Sequence, residues 1–425
     1  MSARLQAIRG MEDVLPDATP LWEKLEDACR GVFRQYGYRN IRTPLVEPTA
    51  LFVRGIGEAT DIVEKEMYVF EDRNGESLAL RPEATAGIVR AAIEHNFLYN
   101  GPMRVWTAGP MFRYERPQKG RQRQFHQYDV EALGFEGPDV DAEQIVLLAR
   151  LWKKLDIDGV ELHVNSIGDA ADRKAHREKL VAWFEKHAAV LDEDARRRLH
   201  TNPLRILDSK NPAMQEMIEG APRLLDHLGE PAAAHFEQLK WLLEEAGLEY
   251  RVNPRLVRGL DYYNRTVFEW VATGIGAQST VAGGGRYDAL FEQLGGKPTP
   301  ACGFGMGMER VLLTMQASGV AARFEPHVFI VHSGESAERA AWRYSEQLRD
   351  AGLRVVLGAG GSFKSQMKKA DASGAAYAVI IGDDEVAQNR VTVKPMRGGE
   401  QQALEPQAAI RLVSGASREP ATTGA

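Results

Sequence analysis

The stretch MFRYERPQKGRQRQFHQYDVE, residues 111–131, decides the fold because it joins two strand-like segments through a long polar turn. Residues 103–111 and 124–133 have the character of strands, and ERPQKGRQR lies between them. The simplest arrangement is an antiparallel hairpin with a basic, mobile tip. Five cations surround a Pro and a Gly in this region: Arg113, Arg116, Lys119, Arg121 and Arg123. Since the whole chain carries a formal net charge of -6, this local charge inversion requires an explanation.

The second strand of the hairpin carries a polar face. Its period of two places four side chains on one side of the sheet: Phe125, Gln127, Asp129 and Glu131. A Phe ring can stack on a flat ligand, and amide and carboxylate oxygens accept hydrogen bonds from an ammonium or an N–H group. Arg113 and Glu115 end the first strand beside this face, and a guanidinium there can bind a phosphate oxygen through two parallel hydrogen bonds. The hairpin therefore predicts a ligand site, with a solvated turn as the alternative.

The composition bounds the class of protein. A chain of 425 residues is long enough for two or three domains. Its apolar fraction of 44% and charged fraction of 26% are ordinary for a globular protein, which argues against disorder and fibres. Cys29 and Cys302 lie far apart and form no metal-ligand spacing, so we expect a reducing compartment, the cytoplasm. No signal-peptide core and no run of about 18 apolar residues occurs, so we expect no membrane partner.

The remaining segments divide the chain. Residues 21–36 repeat apolar side chains at three- and four-residue steps and predict an amphipathic helix that Gly37 ends. Residues 170–250 have helical periodicity and predict a helical insertion. Beyond Pro326 strands alternate with helices, as in a small α/β domain with parallel strands. The tail from about residue 414 is predicted to be disordered.

Two further segments carry candidate ligand-binding residues. RPEAT, residues 81–85, supplies Glu83 and Thr85 just before a predicted helix that begins near Ala86, and capping of that helix explains the pair about as well as ligand binding does. LVRGLDYYNRTVFEW, residues 256–270, groups a fixed positive charge with two tyrosines: Arg258, Tyr262 and Tyr263. These side chains suit a small polar ring beside a carboxylate or a transferring group. A plain turn between strands is the alternative.

Glycines dominate two later segments, GGGRYDAL (residues 283–290) and GFGMGMERV (residues 303–311). The second has the spacing G-x-G-x-G and no acidic residue in the usual place on a following strand, which rejects a dinucleotide-binding fingerprint. The glycines instead indicate a backbone that runs close under a ligand. CGFGMGMERVLLTM predicts a strand that turns into a helix, with Arg310 at the start of the helix in reach of a phosphate.

The order of these segments resembles the histidyl-tRNA synthetases, a family of class II aminoacyl-tRNA synthetases, over nearly the whole chain. IRGMEDVLP at the start is suggestive, and so are segments similar to the three class II motifs: the helix–strand–Pro44 segment, FRYERPQKGRQRQFHQYDVEALG and GFGMGMERV. RGLDYY and GGGRYD are more specific, since they resemble the two histidine-specific signatures of the family.

The resemblance implies a fold. We expect an α+β catalytic domain over residues 1–325 with a six-stranded antiparallel sheet flanked by helices, and a helical insertion at about 170–250. An α/β anticodon-binding domain is expected over residues 326–425. The family also forms homodimers through motif 1.

The resemblance implies site residues as well. Those expected to bind histidine are Glu83, Thr85, Arg113, Gln127, Glu131, Arg258, Tyr262 and Tyr263. Among them, the binders of the α-ammonium are Glu83, Thr85 and Gln127. The pair that reads the two imidazole nitrogens is Glu131 and Tyr263. The residues expected to bind ATP are Arg113, Glu115, Arg121, Phe125 and Arg310, with Phe125 stacked on adenine. Arg258 and Arg113 are the expected catalytic residues.

The implied activity is that of a histidine–tRNA ligase. Histidine and ATP give histidyl-adenylate and pyrophosphate, and histidine then passes to the 3′ end of tRNA(His). Mg²⁺ is expected on the phosphates of ATP, with no protein metal site. One alternative is a synthetase-like regulatory subunit that binds histidine without charging tRNA; the C-terminal segment and the phosphate-binding arginines argue against it. A second alternative is an RNA-binding protein with a vestigial nucleotide pocket.

Overall fold

The computed structural model describes residues 4–57, 60–207, 209–274 and 279–416. The chain forms two compact units, Met1–Ala321 and Ala322–Ala425. None of the described helices combines the length and the apolar character needed to cross a bilayer.

The first unit is built from ten α-helices and eleven strands in its described part. The helices are α1 (Thr19–Gln35), α2 (Thr49–Ile56), α3 (Thr85–Glu94), α4 (Pro138–Lys154), α5 (Ala170–Lys186), α6 (Glu193–Arg198), α7 (Gln215–Glu219), α8 (Glu230–Glu245), α9 (Leu290–Gln293) and α10 (Met308–Ala317). The strands are β1 (Arg39–Asn40), β2 (Val46–Pro48), β3 (Tyr68–Glu71), β4 (Ser77–Leu80), β5 (Met103–Phe112), β6 (Gln124–Leu133), β7 (Val160–Ser166), β8 (Arg251–Val252), β9 (Asn264–Ala272), β10 (Thr280–Arg286) and β11 (Ala301–Gly307). Single turns of 3₁₀-helix include Pro203–Ile206, and Ile62–Glu66 is a π-helical turn.

The central sheet has the strand order β1-β5-β6-β11-β10-β9-β7-β8. Its six inner strands pair antiparallel throughout, which confirms the predicted six-stranded antiparallel sheet. Two-residue strands extend it at each edge, β1 parallel to β5 and β8 parallel to β7. The hairpin β5–β6 and the strand–helix junction β11–α10 also form as predicted. A small second sheet pairs β2, β4 and β3.

One face of the central sheet, called the back face here, is covered by apolar packing. The even-numbered positions of β6 point to it, as Tyr128, Val130 and Ala132 are buried. Helices α4, α8 and α10 pack on this side. The opposite face, called the front face here, carries the odd-numbered positions of β6 and positions the candidate site.

A buried ion pair fastens the helices to the back of the sheet. Arg286 at the end of β10 donates to Asp141 of α4 over 2.6 Å, and Nε2 of His235 on α8 lies 2.9 Å from the same carboxylate. Burial alone raises the pKa of Asp141, but the charge of Arg286 and the hydrogen bonds from His235 and Arg286 together outweigh burial and hold this pKa below its usual range. The pair therefore stays ionised in the interior, where a carboxylate needs such a partner.

The predicted helical segment at 170–250 contains α5 to α8. A separate apolar core includes Leu180, Phe184, Leu191, Met214 and Ile218. Helix α8 instead packs on α4 and on the sheet strands β7 and β9. The boundaries of an insertion at about 170–250 stay a prediction.

The second unit alternates strands and helices as predicted. Its strands are β12 (Val328–Ser333), β13 (Val355–Leu357), β14 (Tyr377–Gly382), β15 (Val391–Pro395) and β16 (Gln402–Leu404). Its helices are α11 (Glu335–Asp350), α12 (Phe363–Ala372), α13 (Asp383–Ala387) and α14 (Pro406–Ala416). β12 is parallel to β13 and β14, and β15 and β16 are antiparallel additions.

Helix α14 corrects one expectation. Disorder was predicted from about residue 414, but residues 414–416 continue the helix because Ala409 and Val413 of the same helix are buried in the core of this unit. The rest of the predicted disordered tail, residues 417–425, lies outside the described residues.

Candidate active site

A pocket opens on the front face of the central sheet. Its lining includes all of the predicted site residues except Glu131: Glu83, Thr85, Arg113, Glu115, Arg121, Phe125, Gln127, Arg258, Tyr262, Tyr263 and Arg310. These side chains come from the β5–β6 hairpin, the start of α3, the loop before β9 and the start of α10. The fold therefore brings segments about two hundred positions apart to one cavity, because β6, β11, β10 and β9 are neighbours in the sheet.

The floor of the pocket is the polar face of β6, as its alternation predicts. Phe125, Gln127 and Asp129 line the pocket, and Nε2 of Gln127 donates to Asp129 over 2.9 Å. The guanidinium of Arg113 lies 5.3 Å from the centroid of the Phe125 ring. An aromatic face and a cation thus stand side by side at one end of the floor.

Glycines on β10 and β11 leave room for these side chains. Gly303 lies directly opposite Glu131, and Gly305 lies opposite Asp129 and beside Gly283 of β10. A Cβ atom at position 303 would overlap the carboxylate of Glu131, and one at 305 would overlap the amide of Gln127. The sequence predicted that this backbone runs close under a ligand. In the structure it also runs close under the side chains of the site.

Glu131 lies beneath the pocket lining and is buried. One carboxylate oxygen accepts from the hydroxyl of Thr85 over 2.7 Å, and the other accepts from the hydroxyl of Tyr287 over 2.5 Å. Burial raises the pKa of Glu131 well above its ordinary value, and the two hydroxyl donors offset only part of that increase. The carboxyl group is therefore fixed in orientation from both sides, beside Thr85, which does line the pocket.

Glu83 serves the helix and the pocket together. Its two carboxylate oxygens accept the backbone N–H groups of Thr85 (2.6 Å) and Ala86 (3.0 Å), which are unpaired donors of the first turn of α3. Helix capping and ligand binding, posed as alternatives by the sequence, are thus compatible in one side chain. Burial raises the pKa of Glu83, and these N–H donors and the nearby Arg113 act in the opposite direction.

Two arginines face the middle of the pocket. Arg113 donates through Nε to the carbonyl oxygen of Pro82 over 2.9 Å, and burial lowers its pKa. Arg258 forms an ion pair with Glu269 of β9, and its Nε has no hydrogen-bond partner among the described residues. Burial would lower the pKa of Arg258, but Glu269 together with Tyr263 and Tyr262 raises it above the ordinary value. Both guanidiniums remain charged, and Arg258 keeps a buried donor available.

The outer end of the pocket is also rich in arginine. Arg121 forms an ion pair with Glu115, which turns it from the hairpin tip into the pocket. Arg310 donates to the carbonyl oxygens of Gly120 (2.9 Å) and Thr280 (2.8 Å) and so ties the start of α10 to the tip. Burial and the nearby Arg121 and Arg113 lower the pKa of Arg310 to about 10, which leaves it charged at neutral pH.

The two tyrosines that precede β9 are buried rather than half-buried sheet residues. The rings of Tyr262 and Tyr263 lie 4.7 Å apart, and the Tyr262 ring lies 5.5 Å from that of Tyr287. The guanidinium of Arg258 lies 5.7 Å from the Tyr263 ring. The turn that carries them therefore belongs to the pocket.

The sequence analysis assigned no role to several residues in or beside the pocket. Asp129 was placed on the polar face without a role; burial and the neighbouring Glu83 raise its pKa to about 8, and its Oδ2 has no hydrogen-bond partner within the described part of the chain. Glu309, next to Arg310, accepts the backbone N–H of His126 at 2.8 Å and so ties the start of α10 to the start of β6. Tyr287 lies inside GGGRYD. The resemblance of that segment to a histidine-specific signature was the signal that could have identified Tyr287. For Glu269, the sequence offers no indication of a role beyond its place in the alternating pattern of β9.

Comparison with known proteins places the chain. The model of the family described as histidyl-tRNA synthetase matches residues 10–311. The chain belongs to the histidyl-tRNA synthetase family. A second family model, described as an anticodon binding domain, matches residues 327–415. The histidyl-tRNA synthetase match spans both histidine-specific signatures and all the pocket residues.

Individual relatives agree over almost the full length. A protein of Methylobacillus flagellatus named histidine–tRNA ligase is 60% identical over 417 residues, which are 97% of this chain and 100% of that protein. A Bordetella pertussis protein of the same name is 62% identical over 398 residues, 93% of each chain. The crystal structure of apo histidyl-tRNA synthetase from S. aureus has a TM-score of 0.81 at 36% identity and covers 97% of this chain and 100% of that chain.

Proposed function

We propose that this member of the histidyl-tRNA synthetase family is a histidine–tRNA ligase that activates L-histidine with ATP and transfers it to the 3′ end of tRNA(His). The observation that carries the proposal is the convergence of Arg113, Arg258, Arg310 and the Glu131–Thr85 pair around one pocket. Such a pocket combines cations for a polyphosphate with a buried acceptor for a polar ring.

The histidine end of the pocket would hold the amino acid by both of its polar ends. The α-ammonium suits the carboxylates of Glu83 and Asp129 and the amide oxygen of Gln127, which face the same part of the floor. The two imidazole nitrogens suit Glu131 and Tyr263, with Tyr262 packed beside them. An amino acid without both ring nitrogens would leave buried polar groups unpaired, which is how such a site rejects apolar competitors.

The first step is an attack by an oxygen of the histidine carboxylate on the α-phosphorus of ATP. The bond to the pyrophosphate oxygen breaks, pyrophosphate leaves, and histidyl-adenylate forms. Negative charge gathers on the α-phosphoryl oxygens in the transition state, so Arg113 and Arg258 lower the barrier by standing in place beforehand. Arg258 is held by Glu269, and its Nε is a donor suited to this charge. No side-chain nucleophile takes part.

The outer end of the pocket suits ATP. Adenine would stack on Phe125, and the phosphates would meet Arg121 and Arg310. No group of three or more His, Cys, Asp or Glu side chains is arranged to hold a metal ion within the described ranges. Mg²⁺ prefers oxygen ligands, and the carboxylates of Glu115 and Glu309 at this end fit an ion held mainly by the ATP phosphates. Bound there, Mg²⁺ would offset phosphate charge.

In the second step a ribose hydroxyl at the 3′ end of tRNA attacks the carbonyl carbon of the adenylate, and AMP leaves. The exposed cations of the hairpin tip, Arg116 and Lys119, are suited to the RNA backbone near this reaction. The second unit, Ala322–Ala425, would bind the anticodon, in line with its family match. We further propose a homodimer formed through the motif 1 segment and a cytoplasmic location, where the buried free thiols of Cys29 and Cys302 would stay reduced.

The test is histidine-dependent exchange of pyrophosphate into ATP, measured with each of the twenty amino acids and without tRNA. We expect exchange with histidine alone. A regulatory subunit that binds histidine, or an RNA-binding protein with a vestigial pocket, would give no exchange with any amino acid. The absence of exchange with histidine would overturn the proposal. Charging of a tRNA(His) transcript then tests the second step.

A further inference from the structure

Three polar side chains on one side of the segment 198–205 reach out of the helical region: Arg198, Asn202 and Arg205. They are called the clamp here. We propose that the clamp positions the loop of residues 258–263, and through it Arg258, for the activation of histidine, in a step that does not involve tRNA. This inference rests on the proposed function and extends it to the three clamp residues, none of which lines the site pocket, whereas Arg258, Leu260, Tyr262 and Tyr263 of the loop do.

The clamp contacts the 258–263 loop directly. Nδ2 of Asn202 donates to Asp261 over 3.1 Å, and Nη1 of Arg205 lies 3.4 Å from the carbonyl oxygen of Arg258. A Cβ atom at Gly259 would lie only 3.2 Å from Nη1 of Arg205, closer than most side chains allow. The glycine of the RGLDYY signature therefore lets the guanidinium of Arg205 approach the backbone of the loop.

The clamp has a second anchor at Asp61, which follows α2. Arg198 donates to both oxygens of Asp61, at 2.9 and 3.3 Å, and Arg205 lies 3.5 Å from one of them. These side chains are only partly exposed, at 26% for Arg198, 23% for Arg205 and 34% for Asp61. The backbone N–H of Asp261 also donates to the carbonyl oxygen of Ile56 over 3.1 Å. One set of contacts thus joins the clamp, the end of α2 and the 258–263 loop.

The loop depends on such contacts for its position. Residues 253–263 form neither helix nor strand between β8 and β9, so no ladder of backbone hydrogen bonds fixes them. A second cavity, of about 370 Å³, lies on the clamp side of the loop and shares Arg258, Leu260 and Tyr263 with the site pocket. Arg258 is therefore held by Glu269 at its guanidinium and approached by Arg205 at its carbonyl. Because a displacement of about 1 Å in a positioning group can cost roughly 10²-fold in rate, loosening the clamp should reach the chemistry.

The decisive measurement is pyrophosphate exchange without tRNA, because any role of the clamp in binding RNA cannot affect it. The test variant is Arg198→Ala. The matched control is Arg197→Ala, which removes the same charge from the same helix, where Arg197 is exposed and pairs with Asp194 over 2.8 Å. We expect Arg198→Ala to lower kcat for exchange roughly tenfold, which is less than the roughly 10²-fold cost of a 1 Å displacement because Asn202 and Arg205 still contact the loop. Its melting temperature should stay close to that of the control.

Two further variants separate positioning from folding. Asp61→Asn and Asn202→Ala remove the partners of Arg198 and Asp261 with small changes in volume, so each should lower kcat in exchange without unfolding the protein. Asp61→Asn combined with Arg198→Ala should be little worse than Arg198→Ala alone, since both remove one interaction. Arg198→Lys, which keeps the charge, should restore part of the rate.

The outcomes are distinct. If the wild type exchanges pyrophosphate and Arg198→Ala, Asp61→Asn and Asn202→Ala all match Arg197→Ala, the clamp inference is wrong even if tRNA charging falls. If the wild type shows no exchange with histidine, the proposed function itself has failed. A drop in exchange confined to the clamp variants supports the inference.

Discussion

Gly303 of β11 lies directly opposite Glu131 of β6, and the carboxylate of Glu131 fills the volume that a side chain at position 303 would need. The glycine at position 303 therefore makes room for the buried carboxylate of Glu131. The hydroxyls of Thr85 and Tyr287 complete it by holding the two carboxylate oxygens at 2.7 and 2.5 Å.

Gly303→Ala should weaken histidine binding, because the added methyl group displaces Glu131 from its two hydroxyl partners. We expect a loss of about 1–3 kcal/mol in the binding free energy of histidine, the size of a buried polar group left unpaired. Gly307→Ala on the same strand is the control, since its Cβ would only touch the side chain of Arg310 at 3.9 Å. Calorimetric titration with histidine measures both; equal affinities in the two variants would contradict the arrangement.

Arg258→Ala should slow formation of the adenylate far more than it weakens histidine binding. The loss of one prearranged charge at the transition state costs roughly 10²- to 10³-fold in rate. Single-turnover release of pyrophosphate gives the rate. Arg251→Ala, an exposed arginine on the edge strand β8, serves as the control. A wild-type rate in Arg258→Ala would remove this residue from the mechanism.

Histidine binding should release protons because of Asp129. Its pKa of about 8 in the free protein, raised by burial and by Glu83, means that it is mostly protonated at pH 7. A bound ammonium lowers that pKa, so a proton leaves and the affinity rises as the pH increases towards 8. Calorimetry at pH 7 in buffers of different ionisation enthalpy measures the release. Asp129→Asn should release fewer protons, and identical release by both proteins would count against the role of Asp129.

The same carboxyl group should influence stability. The pKa of Asp129 is raised from 3.8 to about 8 on folding, so the unfolded chain binds fewer protons between these values and stability falls as the pH rises through them. Asp129→Asn removes that penalty. We expect the variant to melt at a higher temperature than the wild type at pH 8 and at a similar temperature near pH 4. Thermal scans at the two pH values decide; a variant that melts lower at pH 8 would refute the explanation.

The exposed cations of the hairpin tip should govern the salt dependence of tRNA binding. Arg116→Gln with Lys119→Gln should reduce the slope of log K against log salt by about 1 for each phosphate that the tip no longer neutralises. The inward-turned Arg121 should instead affect the KM for ATP, since it lines the pocket. Lys153→Gln, an exposed cation on α4, is the control for the change of charge. A slope unchanged in the double variant would show that the tip does not bind the RNA backbone.

Much of the fold could be predicted from periodicity. The hairpin β5–β6 and helix α1 follow from apolar spacing interrupted by Gly and Pro, and the junction β11–α10 follows from a strand-like run entering a helical one. The parallel edge strands β1 and β8 could not be predicted, because two residues are too few to show a period. The end of α14 was missed because its last turns are fixed by packing of Ala409 and Val413, not by local composition.

Patterns in neighbouring residues predict only part of the site. Phe125 and Gln127 follow from alternation along one strand. Tyr287 and Glu269 act through partners that the fold supplies: Tyr287 contacts Glu131, 156 positions away, and Glu269 pairs with Arg258 across a turn. Glu309 is similar, since its contact with His126 joins positions 183 apart. No spacing in the sequence states such pairings.

The glycines of β10 and β11 determine what a bound ligand touches. At Gly283 and Gly305, which line the pocket, the front face of the sheet presents peptide groups beside the side chains of the site, and these groups are already locked into the ladders between β9, β10, β11 and β6. Side chains that become ordered on binding lose rotamer freedom, whereas peptide planes held in a sheet have none to lose. Part of the affinity of this surface therefore comes at almost no entropic cost, and its shape stays the same from one turnover to the next.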